Sequence, residues 1–172
     1  MKTMLRLFVL MAMMTAVSSA SARSCLLSAY ISDNDGNATN LRSAPGGAIA
    51  MSLPIGSYSY MLELSDVRKG WWKIIFVYTA EEGDEVELHG SRTGEYWIHN
   101  SVLCLSTTNY GGQRWCLRAT PGQKGKPVYY FTEELFVHPL EVRGGWVKVK
   151  YKGYTGWIEE EKLCDNPLTN CS

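Results

Sequence analysis

The five cysteines and three histidines of this 172-residue chain are the side chains that could bind a metal ion, form disulfides or act as nucleophiles and bases. They are Cys25, Cys104, Cys116, Cys164 and Cys171, and His89, His99 and His138. No two cysteines form a C-x-x-C pair, so neither a zinc ribbon nor a thioredoxin-like redox site is indicated. The histidines are too scattered to form a zinc cage. We therefore expect no metal and no cofactor.

Clustered acids are the second group that could do chemistry. Glu81-Glu82, Asp84-Glu85 and residues 159–161 offer paired carboxylates of the kind that glycoside hydrolysis uses. Runs of like charge are usually solvated faces, and we interpret these in that way. Asp33-Asn34-Asp35-Gly36 resembles the start of a calcium loop, but the twelfth position is Ala44 instead of an acid. That segment is therefore predicted to be a turn, and no catalytic residue is predicted anywhere in the chain.

An internal repeat supplies the elements that must position any site. Leu41-Arg42, two small residues and Pro-Gly recur 76 positions later at Leu117-Arg118. Gly70-Trp71 with its following Lys and Ile recurs 75 positions later as Gly145-Trp146. Residues 97–104, from Trp-Ile to Leu-Cys, recur 60 positions later. Three blocks in the same order predict two structural copies of one unit.

The first copy contains about 15 extra residues, which lie around positions 78–95 and are rich in Glu, Asp and Gly. A polar insertion of this kind predicts a surface loop or an extended hairpin. Apolar residues on either side alternate with the period of a β-strand. We expect Trp72, Ile74, Phe76 and Tyr78 on one face of a strand, with Val147 and Val149 facing the core in the second copy. Trp71 and Trp146 should lie on the opposite face, beside lysines.

The N-terminus has the features of a secretory signal peptide. Lys2 and Arg6 are followed by an apolar run that is shorter than the roughly 20 residues needed to span a bilayer, and then by Ala20-Ser21-Ala22. We expect cleavage after Ala22 and an exported protein, periplasmic or secreted. Lipidation at Cys25 is a minority alternative, because Arg23-Ser24 fits poorly before a lipidated cysteine.

Charge excludes one class of partner. The chain has 17 basic and 17 acidic residues, and removal of Lys2 and Arg6 leaves 15 against 17, a net charge of −2. A nucleic-acid-binding protein normally has a basic excess or a basic stripe, so nucleic acid is not expected as a partner. No later stretch is apolar enough to predict a transmembrane segment in the mature chain.

The repeated pattern Leu-Arg-x-x-Pro-Gly, Gly-Trp-x-Lys and Trp-Ile resembles that of bacterial SH3 domains, over most of residues 27–104 and 113–164. The sequence departs from it at Tyr96 and Cys116, where Gly and Asn are usual. The resemblance implies an all-β protein of two tandem SH3-like, partly open barrels. The expected organisation is a signal peptide at 1–22, barrel one at 23–106, barrel two at 107–165 and a tail at 166–172. The tail resembles those of exported Bacteroides-like proteins.

The resemblance also bears on the cysteines, because the termini of SH3-like barrels lie close together. Cys25 is then expected within reach of Cys104, and Cys116 within reach of Cys164 or Cys171. Cys164 and Cys171 are also near enough in sequence to pair. The odd number of cysteines leaves at least one thiol unpaired unless chains associate.

Function is expected to be binding, since bacterial SH3 domains commonly attach hydrolases to peptidoglycan or bind peptides. The candidate ligand-binding side chains are aromatic: Trp71, Trp146, Trp97, Trp157, Tyr58 and Tyr129. Expected partners are a cell-wall fragment, a peptide or an exported protein. Two alternatives are a subunit that docks on another exported protein and, less favoured, a cell-wall hydrolase.

Overall fold

Thirteen β-strands form the protein in a computed structural model, which describes residues 26–54, 56 and 58–171. The signal-peptide prediction and Cys25 lie outside these residues. The first seven strands are β1 (Leu27–Ile31), β2 (Thr39–Arg42), β3 (Ile49–Leu53), β4 (Tyr60–Arg68), β5 (Trp71–Thr79), β6 (Tyr96–His99) and β7 (Leu103–Thr107). The others are β8 (Trp115–Arg118), β9 (Pro127–Phe131), β10 (Phe136–Arg143), β11 (Trp146–Tyr151), β12 (Tyr154–Glu159) and β13 (Leu163–Cys164). Two short 3₁₀ turns, η1 (Asn100–Val102) and η2 (Glu160–Lys162), precede β7 and β13. The predicted all-β class is confirmed.

The two sequence copies form the same strand pairs. In the first copy β2 pairs with β3 and β6, β4 pairs with β1 and β5, and β5 pairs with β6. In the second copy β8, β9, β10, β11 and β12 repeat these antiparallel pairs, with β7 in the place of β1. Even the register agrees, because Arg42 lies opposite Trp97 and Arg118 opposite Trp157.

Strand β7 belongs to both copies. Its first residues, Leu103 and Cys104, pair with β1, and its last residues, Leu105 to Thr107, pair with β10 and β13. The buried apolar residues of both copies form one continuous cluster around it. The division into two separately closed barrels at residue 106 therefore stays a prediction.

The glycine of each Gly-Trp block lies in the tight turn that precedes the strand of its tryptophan. Lys69 and Gly70, at φ of 50° and 83°, connect β4 to β5, and Gly144 and Gly145, at 56° and 75°, connect β10 to β11. Two consecutive residues at positive φ make the tight turn that suits the twist of a two-residue hairpin. Each repeated tryptophan is thus the first residue of its strand.

The predicted core faces are confirmed at the start of these strands and wrong further along β5. Trp72, Ile74, Val147 and Val149 are buried, as expected. Phe76, however, is exposed and Val77 is buried. A bulge causes the reversal, since Glu63 pairs with Phe76 and the next residue, Leu64, pairs with Ile74. The unpaired Ile75 shifts the alternation by one residue.

The insertion in the first copy turns back along β5. Glu85 forms a bridge with Tyr78, and the Val86 N–H donates to the Val77 carbonyl at 2.8 Å. Val86 and Leu88 then pack against the core, and the Thr93 hydroxyl donates to the Ser43 carbonyl at 3.0 Å. The segment therefore covers the β2–β3 side of the first copy while its Glu81–Glu85 tip faces solvent.

Candidate functional site

Trp97 and Trp157 lie at equivalent positions and are both buried, with 0% and 4% of their surfaces exposed. Each indole is covered by two cations of its own copy. The Arg68 guanidinium lies 5.2 Å from the Trp97 ring centre, and the Arg143 guanidinium lies 5.4 Å from that of Trp157. Lys73 and Lys148 add a second cation 5.9 Å from each ring. These contacts stabilise the sheet, so the two indoles form part of the core instead of an open surface.

Trp71 is half-buried and already has partners. Its ring lies 5.1 Å from the His99 imidazole, edge to face, and the Arg42 guanidinium is 5.7 Å from its ring centre. The His99 Nδ1 atom in turn accepts from the Ser101 N–H at 3.3 Å. The first-copy tryptophan is thus held between a guanidinium and an imidazole.

Trp146 occupies the equivalent position in the second copy but borders an open cavity of about 670 Å³. The cavity lies between the turn at Gly122-Gln123, the turn at Gly145 and the segment from Glu159 to Glu161. Where the first copy has His99, Asn100 and Ser101 beside its tryptophan, the second copy has three glutamates. We call Trp146 and these glutamates the Trp–Glu groove.

Glu159 forms the buried wall of this groove, with 8% of its surface exposed. Its carboxylate lies 3.1 Å from the Lys162 ammonium and accepts a hydrogen bond from the Gln123 side chain. Burial by itself would raise the pKa of Glu159, but the hydrogen bonds and the lysine together hold that pKa below its ordinary value. Glu159 is therefore a carboxylate at neutral pH and fixes the Gln123 turn beside Trp146.

The groove falls within the part of the chain that has a recognised relative. Residues 117–163 match the bacterial SH3 domain. Trp146, Trp157 and all three glutamates lie inside this SH3-like segment, whereas Trp71 and Trp97 lie outside it. The match covers the second sequence copy, which had been predicted from the repeated blocks.

Two solved structures are also similar to the chain, those of NlpC1 and NlpC2 from Trichomonas vaginalis. Their sequence identities are 16% and 14%, and the TM-scores are 0.30 and 0.31. The alignments cover 84% and 83% of this chain but 47% and 49% of the NlpC chains, so this protein spans about half their length. No curated protein matches the sequence.

Glu160 and Glu161 are the glutamates of the Trp–Glu groove whose carboxylates are not in an ion pair within the described part of the chain. Glu160 is half-buried, Glu161 is exposed, and neither takes part in an ion pair among the described residues. A tryptophan face beside free carboxylates suits a cationic group, because the indole attracts cations through its ring and the carboxylates accept hydrogen bonds from N–H donors. Sequence reasoning had treated these glutamates as a solvated face. Their position inside the third repeated block, where the first copy has His-Asn-Ser, is the sequence signal that could have revealed them.

The two candidate tyrosines lie elsewhere. Tyr58 is 45% exposed and borders a small cavity of about 110 Å³ beside Asp33 and Thr39. Tyr129 is half-buried on β9, where its ring centre lies 4.4 Å from that of Tyr154 and 5.6 Å from that of Tyr151. The structure does not bring either tyrosine into the lining of the Trp–Glu groove, and both stay predictions as ligand-binding residues.

The structure shows the state of four of the five cysteines. Cys164 and Cys171 form a disulfide, which confirms one of the pairings considered and excludes both pairings of Cys116 with these two residues. Cys104 is a buried thiol and Cys116 a half-buried thiol. The Cys25–Cys104 pairing stays a prediction, because Cys25 lies outside the described residues.

Cys104 lies in an environment unlike that of a catalytic thiol. It pairs with Tyr30 across β1 and β7 and shares a hydrogen bond with the Tyr30 hydroxyl. Burial raises the pKa of the Cys104 thiol above its ordinary value, and burial together with the hydrogen bond to Cys104 raises the pKa of Tyr30. A nucleophilic cysteine needs the opposite shift.

This buried pair predicts a loss of stability in alkali. An acid group whose pKa is raised by folding stabilises the folded state below the unfolded-state pKa, and the stabilisation falls as the pH rises past that value. Above about pH 10, Tyr30 should lower the free energy of unfolding by up to about 1.4 kcal/mol per pH unit. Urea unfolding between pH 8 and 11 measures this dependence. Tyr30→Phe should reduce the slope above pH 10, while the exposed Tyr130→Phe should leave it unchanged. Equal slopes for Tyr30→Phe and the unmodified protein would contradict the assignment.

Residues 26–54, 56 and 58–171 contain neither a metal-ligand cluster nor a membrane-spanning helix. No group of three or more His, Cys, Asp or Glu in this part of the chain is arranged to hold a metal ion. Nor does this part contain a helix with the length and apolar character that crossing a bilayer requires.

Proposed function

We propose that this protein is a non-catalytic, exported binding protein whose Trp–Glu groove recognises a cationic group of a cell-wall peptide. The observation that carries the proposal is the half-exposed Trp146 beside the unpaired Glu160 and Glu161, within the segment that matches the bacterial SH3 domain. The disulfide between Cys164 and Cys171 supports a location outside the cytoplasm, where disulfides persist.

The chemistry of the groove narrows the ligand class. Peptidoglycan stem peptides present ammonium groups on short chains, and the cavity of about 670 Å³ lies within the size range of small-ligand sites. Gln123 and the backbone of the Gly122 turn border the same cavity and offer hydrogen-bonding groups to a peptide. An ammonium against Trp146 and the carboxylates of Glu160 and Glu161 would fix the orientation of such a peptide.

Binding to purified peptidoglycan and to a soluble lysine-containing stem peptide tests the proposal. Trp146→Ala should weaken binding about tenfold, because it removes a cation–π contact of roughly 1–2 kcal/mol. Trp71→Ala is the matched control, since it changes the equivalent tryptophan of the first copy and should leave affinity unchanged. Acetylating the lysine ammonium of the peptide should weaken binding by a similar factor. Lack of binding to both peptidoglycan and the peptide would remove this ligand class, and equal losses for the two variants would contradict the assignment to the second copy.

A docking subunit is the second candidate, and exposed aromatic residues favour it. Tyr130, Phe136 and Tyr154 of the second copy are 53%, 59% and 47% exposed. Co-purification of an exported partner that is lost with Tyr130→Ser, while Trp146→Ala retains it, would support docking over peptide recognition.

A cell-wall hydrolase of the cysteine type needs an activated thiolate. The raised pKa of Cys104 and its contact with Tyr30 argue against that role for this thiol. We therefore expect purified protein to release no soluble muropeptides from peptidoglycan.

A further inference from the structure

A second cavity, of about 380 Å³, lies between the two copies. One wall comes from the end of the first copy and consists of His99, Asn100 and Ser101. The other wall comes from β10 and β11 of the second copy and consists of His138, Leu140, Lys150 and Lys152. The cavity exists only where the copies meet, and it shares no residue with the Trp–Glu groove. We call it the junction cleft.

Two hydrogen bonds hold the walls of the junction cleft in position. The indole N–H of Trp72, in the core of the first copy, donates to the carbonyl of Pro139 in β10 at 3.1 Å, and this bond is buried. The His138 Nδ1 atom lies 2.7 Å from the Leu103 carbonyl, so Nδ1 carries the proton and donates. One bond is made by the cleft-lining His138 itself, and the other by Pro139, which lies between His138 and Leu140. The cleft is therefore preformed by packing and does not depend on a mobile loop.

The strand geometry explains why these side chains share one wall. His138 lies directly opposite Lys150 across β10 and β11. Pro139 is buried, and the register shifts between Pro139 and Glu141, which marks Leu140 as an unpaired bulge residue. His138 and Leu140 lie two positions apart on β10 and therefore share the face opposite the buried Pro139, which is the face that lines the cleft.

The charge of the junction cleft has one sign. Lys150 and Lys152 are exposed, and neither pairs with a carboxylate among the described residues. The Lys152 ammonium lies 5.0 Å from the Tyr151 ring centre, and its pKa is raised by its hydrogen bond with Tyr151 and, to a smaller extent, by Glu133, which does not line the cleft. No acid lines the cleft. Asp33 and Asp35 line an adjoining cavity, and they already accept hydrogen bonds from Thr39 and from the Asn37 N–H.

We propose that the junction cleft binds an oxyanion group, a carboxylate or a phosphate, of a small ligand. Two ammonium groups supply the charge. The Asn100 amide and the His99 Nε2–H, which is the free donor because Nδ1 of His99 accepts from the Ser101 N–H, supply hydrogen-bond donors. Leu140 provides the apolar surface on which the rest of a small ligand can pack. Because the walls come from different copies, a bound oxyanion also links the two copies to each other.

Imidazole NMR signals of the full chain test the proposal, because its three histidines divide between the cleft and the rest of the protein. His99 and His138 line the cleft, and His89 does not. The probes are N-acetylalanine and inorganic phosphate at pH 7, with N-acetylalanine amide as the uncharged control. Saturable shifts of His99 and His138 with either oxyanion, and of neither with the amide, are expected. The probe that binds more tightly then identifies the oxyanion.

A lysine variant makes the assignment specific. Lys150→Gln combined with Lys152→Asn should weaken oxyanion binding between about twofold and thirtyfold, since two exposed ion pairs of roughly 0.2–1 kcal/mol each are lost. Asn is chosen because Lys152 has a φ of 50°, which Asn tolerates well. Lys124→Gln with Lys126→Gln, two exposed lysines outside the cleft, is the matched control and should bind normally. Unchanged binding in the cleft variant, or equal shifts of His89, would overturn the proposal. Binding at the Trp–Glu groove is followed separately through the NMR signal of the Trp146 indole N–H. An absence of binding at one site therefore does not affect the test of the other.

Discussion

Replacing Trp72 with phenylalanine should lower the free energy of unfolding by about 2–4 kcal/mol. Trp72 is fully buried in the first copy, and its indole N–H donates to the Pro139 carbonyl of the second copy. Phenylalanine cannot donate this bond, so the buried carbonyl loses its partner, which costs roughly 1–3 kcal/mol. The smaller ring also leaves space in the core, which adds to the loss.

Urea unfolding followed by circular dichroism measures this change. Trp146→Phe is the matched control, because it removes the same atoms from a half-exposed indole with no hydrogen bond to the other copy, and it should alter stability by less than about 1 kcal/mol. A Trp72→Phe variant as stable as the control would show that the bond between the copies adds nothing to stability. The junction cleft should also be perturbed in Trp72→Phe, since this bond holds one of its walls.

Replacing Gly156 with alanine should lower the free energy of unfolding by about 1–3 kcal/mol, because the site has no room for a methyl group. A Cβ atom at Gly156 would lie 2.8 Å from the Leu117 Cβ and 2.8 Å from the Val128 Cγ2. It would also lie 3.0 Å from the Arg118 carbonyl oxygen. These are atoms of β8 and β9, so the added methyl must push the sheet apart.

Chemical denaturation of a small set of variants checks this result. Gly153→Ala is the control, since a Cβ there meets nothing within 4 Å, and it should change stability by no more than about 1 kcal/mol. Removing the γ-methyl groups of Val128 in a Gly156→Ala, Val128→Ala double variant should leave a smaller loss than the sum of the two single variants. Strict additivity would show that Val128 does not cause the strain.

The two copies differ in residue size at this position and at one position that packs near it. The first copy has Tyr96 where the second has Gly156, and it has Ala50 where the second has Val128. In each copy the larger residue is thus matched by a smaller residue on the strand two places away in the sheet, across β2 or β8. This pairing gives a physical reason for Tyr96, which from sequence alone was only a departure from the family pattern.

Local features were predictable from the sequence because they depend on neighbouring residues. The strand assignment of the Gly-Trp blocks and the burial of Trp72 and Val147 follow from turn chemistry and alternation. Phe76 was assigned to the wrong face because alternation assumes an unbroken ladder, and the bulge at Ile75 breaks it.

Features that depend on contacts between distant residues were not predictable. The burial of Trp97 and Trp157 requires the cations of the neighbouring hairpin, which no pattern in either block reveals. The junction cleft brings His99 beside His138 from opposite copies, and their spacing in sequence carries no trace of that proximity. The Trp–Glu groove was predictable in part. The repeat placed Trp146 on the face opposite the core, but only the cavity in the structure shows that the glutamates lie beside it.

The strand shared by the two copies has a consequence for ligands with two binding groups. Many tandem binding proteins carry their modules on flexible linkers, and the second binding event then depends on how the linker samples space. Here Leu103–Thr107 is itself the connection, paired on both sides, so the position of one copy relative to the other is set by the sheet. The Trp–Glu groove and the junction cleft are therefore held at a constant separation, so a ligand with both a cationic group and an oxyanion would engage both only if its two groups match that separation.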